Sequence, residues 1–405
     1  MNEQLTVKNF GPIKEATVDF KRVTVFIGPT GGGKSTLAKL AAVMREKNLF
    51  SADSKKQYGI LNELLYSYEI NNYAHTGSEF HWRVEEGGKF DRLDASEDAV
   101  VVHLNLSPQV GSKEEYVTKK LKDLIDNSKI NGADILSASA IYNFTQEFSN
   151  DFDRSTMSWH SRRFPKVQYI PADRMFVSAT SKGLASIGLQ NSSLGKPILD
   201  FLEAFAASKQ SVLKFPIKFL DIVFESDGGD TRIKSSGALL YLHESASGIQ
   251  SVAPMLAVIL DTLRRNSISF NPDTFAFIIE EPELNLYPTA QQGLLNWLVE
   301  KCTKGENDLT ITTHSPYILS SCNLLLEAYK VAQQRPELAE EIDKIVPRAC
   351  WLNPDEFAAY YVADGTVRPI TDERTHLIGG NELDAVSGDI SDRFRRLLQL
   401  KKQVA

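Results

Sequence analysis

No run of about 18 apolar residues occurs, the length a helix needs to cross a bilayer, so no membrane span is expected. Cysteine is scarce: Cys302, Cys322 and Cys350 are odd in number and lack metal-ligand spacing. They fit a reducing compartment rather than a disulfide framework. The N-terminus has an acidic third residue and no apolar segment of leader type, so the cytoplasm is the expected location. Excess positive charge is missing too. Lys plus Arg is 45 and Asp plus Glu is 52, a formal net charge of −7. That excludes a bulk nucleic-acid coat and leaves DNA contact to a local basic patch.

What is present is a 405-residue chain, 42% hydrophobic and 24% charged, with enough apolar residues for a sizeable core. Short strands are expected at 5–7 and 16–20 around a Gly11-Pro12 turn, then a buried strand at Val23–Ile27. Leu37, Leu40, Ala41 and Met44 recur at helical spacing after Ser35, and 59–67 also reads as helix. Alternating residues over 68–108 suggest hairpins, with Glu85-Glu86-Gly87-Gly88 as a turn. Further strands are expected at Val167–Pro171, Ala238–His243, Phe275–Ile279 and Leu309–Thr312, and a hairpin turn at Ser226–Asp230. Helices are expected at 196–207, 210–223, 249–264, 288–301, 327–345 and 387–401. The pattern is α/β with a mixed or parallel sheet. It divides into a first part of an α/β domain at 1–112, a helical insertion at 113–165, the rest of that domain at 166–320, and an α/β extension at 321–405 read as a partner-binding region.

Gly28-Pro29-Thr30-Gly31-Gly32-Gly33-Lys34-Ser35 fits G-x-x-x-x-G-K-[ST] between a strand and a helix, the context a phosphate-binding loop requires. Glycines let successive backbone N–H groups face phosphate oxygens, and the helix N-terminus adds its dipole. Lys34 is positioned by the motif to reach the β- and γ-phosphates, and the Ser35 hydroxyl to ligate Mg²⁺.

Phe275-Ala-Phe-Ile-Ile-Glu280-Glu281-Pro-Glu283 is an apolar strand ending in carboxylates, at the sheet edge where open α/β folds bind ligands. Glu280 is the candidate for orienting Mg²⁺ and Glu281 the candidate general base toward water. His314, in Thr312-Thr313-His314-Ser315-Pro316, closes the next strand, where a histidine can donate to a γ-phosphate. Ser245-Ala-Ser247-Gly248-Ile249-Gln250 opens a helix. It reads either as an ordinary N-cap or as a second phosphate-binding surface facing a partner's ATP.

These motifs in this order resemble the ABC-type P-loop ATPase heads of the SMC and RecF kind. Val-Lys-Asn-Phe-Gly-Pro-Ile, Tyr-Ile-Pro-Ala-Asp-Arg, Glu-Glu-Pro-Glu-Leu-Asn-Leu-Tyr-Pro and Thr-Thr-His-Ser-Pro-Tyr resemble, more narrowly, the OLD group. The resemblance implies a two-lobed head, two of which sandwich two ATP molecules. It assigns Gly28–Thr36 to the chain's own ATP, and Ser247, Gly248 and Gln250 to the partner's. Glu281 is implied as the base, His314 as the switch histidine, and Asn285 as a residue of the dimer seam. Ile249 stands for the usual second signature glycine and Glu280 for the usual aspartate, departures that imply slow hydrolysis. Gln168 is the candidate for the glutamine linking the lobes. Arg174 is read equally as a phosphate contact or a strand-end salt bridge.

OLD nucleases continue into a metal-binding TOPRIM domain. After Leu319 this sequence offers no Asp-x-Asp and no apolar strand ladder, and Asp389 and Asp392 fall on an expected helix. The expectation is therefore an ATPase without its own nuclease, resembling the ATPase subunits of the Septu and PARIS anti-phage systems. It would form a homodimer or higher oligomer with ATP and regulate a separate effector, a nuclease or a toxin. The alternative is a DNA-repair or DNA-structure ATPase of the RecF or SMC type, drawing on basic runs at Lys119, Lys120 and Lys122 and at Arg162, Arg163 and Lys166. A transporter subunit fits poorly, because the signature is a variant one and the chain extends beyond the head.

Overall fold

The computed structural model describes residues 2–46, 48–49, 54–86, 89–96, 100–103, 165–180, 194–270, 272–379 and 395. The expected helices within 113–164 and at 387–401 therefore lie outside the described residues (save Arg395), as do Lys119, Lys120, Lys122, Arg162, Arg163, Asp389 and Asp392.

The chain begins with three strands, β1 (Asn2–Phe10), β2 (Ile13–Phe20) and β3 (Val23–Ile27). Helices α1 (Lys34–Met44) and α2 (Ser54–Ser67) follow, then β4 (Ala74–Glu86), β5 (Lys89–Ser96) and β6 (Val100–His103). Next come β7 (Lys166–Ile170), the short α3 (Phe176–Thr180) and α4 (Lys196–Ser211). Strands β8 (Lys214–Ile217), β9 (Ile222–Ser226), β10 (Thr231–Ser235) and β11 (Ala238–Tyr241) lead to α5 (Ser247–Ser267). The chain continues through β12 (Phe275–Glu280), α6 (Pro288–Cys302), β13 (Asp308–Thr313), α7 (Pro316–Gln334) and α8 (Ala339–Ile345). It returns in β14 (Phe357–Ala363) and β15 (Thr366–Pro369).

Among the described residues these strands form an eleven-stranded sheet, ordered β6-β5-β4-β1-β2-β15-β14-β3-β13-β12-β7, and a four-stranded sheet, β11-β10-β9-β8. The large sheet is mixed. Strand β3 lies between β13 and β14, parallel to both, and β12 and β7 continue the parallel half. The N-terminal half is an antiparallel ladder. Every residue of β3 is buried, as a parallel strand covered on both faces requires. Val25, Ile279 and Ile311 pack in one core with α5, α6 and α7, while Phe26 and Ile278 pack in another with α1.

Three expectations change. The helix expected at 210–223 is instead the end of α4, strand β8 and the start of β9. Pro216 would break a helix interior and disfavours helix at Phe215, and burial over 214–217 alternates with strand period. The helix expected at 327–345 begins earlier, at Pro316, where Ser315 caps it by accepting from the Tyr317 N–H, and Pro336 divides it from α8. An apolar strand does follow Leu319: β14, Phe-Ala-Ala-Tyr-Tyr-Val-Ala, pairs with β3 from Phe357↔Val23 to Tyr361↔Ile27. Its alanines carry a weak strand signal, and its burial against β3 overrides that preference.

The antiparallel ladder is joined to α1 by a buried ion pair. Arg45 Nε donates to Glu3 Oε2 at 2.9 Å, with side-chain exposures of 1% and 8%. Its guanidinium also lies 4.8 Å from the Phe20 ring and 5.5 Å from the Trp82 ring. Glu3→Ala would leave a buried charge without its partner and should destabilise the fold by about 3–5 kcal/mol in urea denaturation. A loss under about 1 kcal/mol, typical of an exposed pair, would contradict this placement.

Candidate functional site

The parallel pairing brings the C-terminal ends of β3, β12 and β13 to one edge of the sheet, and each end carries a motif. Gly28 leaves β3 beside β14, and a Cβ there would stand 2.1 Å from the Val362 carbonyl oxygen. Only glycine tolerates that approach. Gly33 precedes α1 with φ 106°, a left-handed conformation that a side chain would strain. Between them Pro29, Thr30 and Gly31 are exposed and Gly32 is buried. Within α1, Ser35 is exposed while Lys34 and Thr36 are buried.

Lys34 Nζ donates to the Gly28 and Pro29 carbonyls, both at 2.9 Å. Burial lowers its pKa, against the opposing pull of Glu281, Glu283 and Glu280. A desolvated ammonium beside three carboxylates and held only by neutral carbonyls is poised to gain from an arriving anion.

Glu280 is buried at the end of β12. Its Oε2 accepts from the Ala172 N–H at 3.2 Å, while Oε1 is sealed from solvent without a hydrogen bond of standard geometry. Glu281 has φ 42°, and its N–H donates to the Thr312 carbonyl at 2.9 Å. Its Oε1 lies 3.2 Å from His314 Nε2. Glu281, His314, Lys34, Ser35 and Thr36 all line one cleft of about 440 Å³, together with the loop residues Thr30, Gly31 and Gly33 and with Gly11, Pro12 and Tyr73.

The signature residues are not in this chain's cleft. Ser247 opens α5 on the surface, with no side-chain cap hydrogen bond at that helix start. Gly248 is buried against Asn285, whose carbonyl oxygen would meet a Cβ at 2.6 Å. Gln250 turns inward, with Nε2 donating to the Ser245 carbonyl at 2.7 Å and Oε1 accepting from Ser178 Oγ at 2.6 Å. Asn285 is exposed and donates to Met175 Sδ. Gln168 accepts from Thr262 Oγ1 at 3.1 Å, joining β7 to α5.

Three residues emerge that the sequence reading left without this role. Arg174 is fully buried, meets no carboxylate at ion-pair distance among the described residues, and donates to backbone carbonyls of Pro171 after β7, of α5 and of the Glu281 turn. Glu283 Oε1 accepts from the Thr313 hydroxyl and, at 3.0 Å, from the His314 N–H, so it fixes the histidine's backbone. Its place in Glu-Pro-Glu was the available signal. Tyr73 faces the glycine loop from a polar turn that carries no motif.

No group of three or more His, Cys, Asp or Glu arranged to hold a metal occurs among the described residues. A Mg²⁺ ion bound by one or two protein oxygens and substrate phosphates needs none. The exposed Ser35 hydroxyl lies in the cleft and fits that donor set, while Glu280, buried beside the Tyr169 hydroxyl at the end of β12, could reach the ion only through its water shell.

Residues 23–320 match the model of an AAA-domain family described as "putative AbiEii toxin, Type IV TA system". No curated protein matches the chain significantly. Among solved structures, the SMC head domain from Thermotoga maritima is similar at 11% identity and TM-score 0.39, over 92% of this chain and 99% of that one. The recombination mediator protein RecF is similar at 11% identity and TM-score 0.34, over 91% and 98%. A dimeric ATP-binding cassette bound to ADP and Pi is similar at 9% identity and TM-score 0.29, over 90% and 97%.

Burial holds the Glu283 carboxyl above its ordinary pKa, against the hydrogen bonds from Thr313 and His314. With the folded pKa above the unfolded one, the folded state binds the extra proton between the two values. Stability therefore falls as pH rises through that window. Glu283→Gln keeps an acceptor oxygen and cannot ionise. In thermal denaturation the variant should gain on the wild type as pH rises above the ordinary glutamate range; a difference that ignores pH would contradict the assignment.

Proposed function

This chain belongs to the AAA-domain family matched above, and from that premise we propose that it binds and hydrolyses ATP as an ABC-type head whose sites are completed by a second copy. The observation that carries this reading is the Glu281–His314 pair facing Lys34 and the glycine loop across one cleft. Gly28–Thr36 would hold the triphosphate through backbone N–H groups and the α1 N-terminus. Lys34 would exchange the Gly28 and Pro29 carbonyls for phosphate oxygens. Ser35 and Glu280 are the residues that would hold Mg²⁺, which supplies charge neutralisation on the phosphates. Glu281 takes the proton of the attacking water, and His314 Nε2, which meets that carboxylate here, would turn its single N–H to the γ-phosphate when ATP binds. Tyr73 supplies a ring on which the base can stack.

Ser247 lies exposed at the start of α5, apart from the chain's own cleft, which supports its engaging the ATP of a partner in a homodimer or higher oligomer together with Gly248. Gln250 would act there by holding the loop before α5. The ATP-bound assembly then acts as a sensor or regulator of a separate effector in anti-phage defence. The family's description, which names a toxin of a toxin–antitoxin system, supports that setting. Residues 321–405 beyond the sheet strands are the proposed effector-binding region.

Glu281→Gln should retain ATP binding and lower kcat by about 10²- to 10⁴-fold, as loss of a general base does. Lys34→Ala should lose ATP binding itself. Phosphate release and fluorescent-nucleotide titration check both; hydrolysis undiminished in Glu281→Gln would rule out the assigned base.

A further inference from the structure

The Arg174 side chain is wholly buried at 0% exposure, yet meets no carboxylate within ion-pair distance among the described residues. All its hydrogen bonds go to backbone carbonyls. Nε donates to Ser251 O at 3.2 Å; Nη1 donates to Pro171 O at 3.2 Å and Glu280 O at 2.7 Å; Nη2 donates to Glu281 O at 2.6 Å and Pro282 O at 3.2 Å. Burial brings its pKa down to about 10, so it remains charged at neutral pH. A buried cation that spends five donors on carbonyls is fixing a backbone shape.

That shape is the Glu281 turn. Glu281 adopts φ 42°, which a non-glycine residue holds only when its surroundings impose it, at a cost of about 1–3 kcal/mol. Arg174 grips the carbonyls just before, at and just after this residue. From the other side the Glu281 N–H is held by Thr312. The same guanidinium is anchored on Ser251 in the first turns of α5, the helix that Ser247 opens.

We propose that Arg174 is a positioning residue for hydrolysis, holding Glu281 in the left-handed conformation that aims its carboxylate at the cleft and tying that turn to the start of α5. This rests on the ATPase reading above. Displacing the Glu281 carboxylate by about 1 Å is enough to slow the reaction about 100-fold without touching the phosphate loop.

The test compares wild type, Arg174→Lys, Arg174→Ala and Glu281→Gln for ATP hydrolysis, nucleotide affinity and thermal unfolding, with and without millimolar methylguanidinium. Both Arg174 variants should lower kcat, by about 100-fold for Arg174→Ala and less for Arg174→Lys, with nucleotide affinity unchanged. Methylguanidinium should restore part of the rate to Arg174→Ala and none to Glu281→Gln. If Arg174→Ala does not fold, Arg174→Lys alone must show the split between kcat and affinity. Unchanged kcat, or loss of rate and affinity together, overturns the proposal. A wild type that binds ATP without hydrolysing it overturns the ATPase reading instead.

Discussion

The parallel registration of β3 between β13 and β14 is the constraint on which the site depends. Backbone pairing from Leu309↔Val23 to Thr313↔Ile27 on one side, and from Phe357↔Val23 to Tyr361↔Ile27 on the other, aligns the strand ends. Because β12 continues the same alignment, Gly28, Glu281 and His314 arrive at one edge from widely separated stretches of chain. A one-residue slip in any of these pairings would reverse the faces of the strand and withdraw its carboxylate or imidazole from the cleft. The buried residues of β3 and the two cores on either side of it make such a slip costly.

Around this edge the charges are arranged so that each is supported by groups of another element. Lys34 is partly desolvated and rests on loop carbonyls. Glu283 is enclosed and occupied with the backbone before α7. Arg174 is enclosed and occupied with the backbone after β12. Glu281 and His314 remain partly exposed and meet at 3.2 Å. The buried groups hold shape, and the two partly exposed groups are left to meet a ligand.

Much of this was legible in the sequence because it is local. The glycine loop, the apolar strands at 23–27, 275–279 and 309–312, and the helices after them follow from periodicity and from Gly and Pro placement. What escaped is long-range. Strand β14 carries alanine and aromatic residues whose strand character comes from its seat beside β3. The close approach of Val362 to Gly28 joins residues far apart in the chain, and no local pattern announces it. Arg174 looked like a phosphate or carboxylate partner because a lone arginine after a strand usually is one; its carbonyl partners come from three separate segments. Lys-Phe-Pro-Ile-Lys-Phe-Leu satisfies helical spacing until Pro216 is weighed, and there the turn chemistry should have ruled.

That each ATP site needs two copies is tested most directly by mixing two inactive variants. Lys34→Ala removes the loop lysine, and Ser247→Arg blocks the start of α5. Each alone should fail to hydrolyse ATP, because every site it builds carries the defect. Mixed, they should recover activity, since a mixed dimer has one site with an intact loop from one copy and an intact Ser247 from the other. A mixture as inactive as its components, or a fully active Ser247→Arg protein, would show that a single chain holds the whole site.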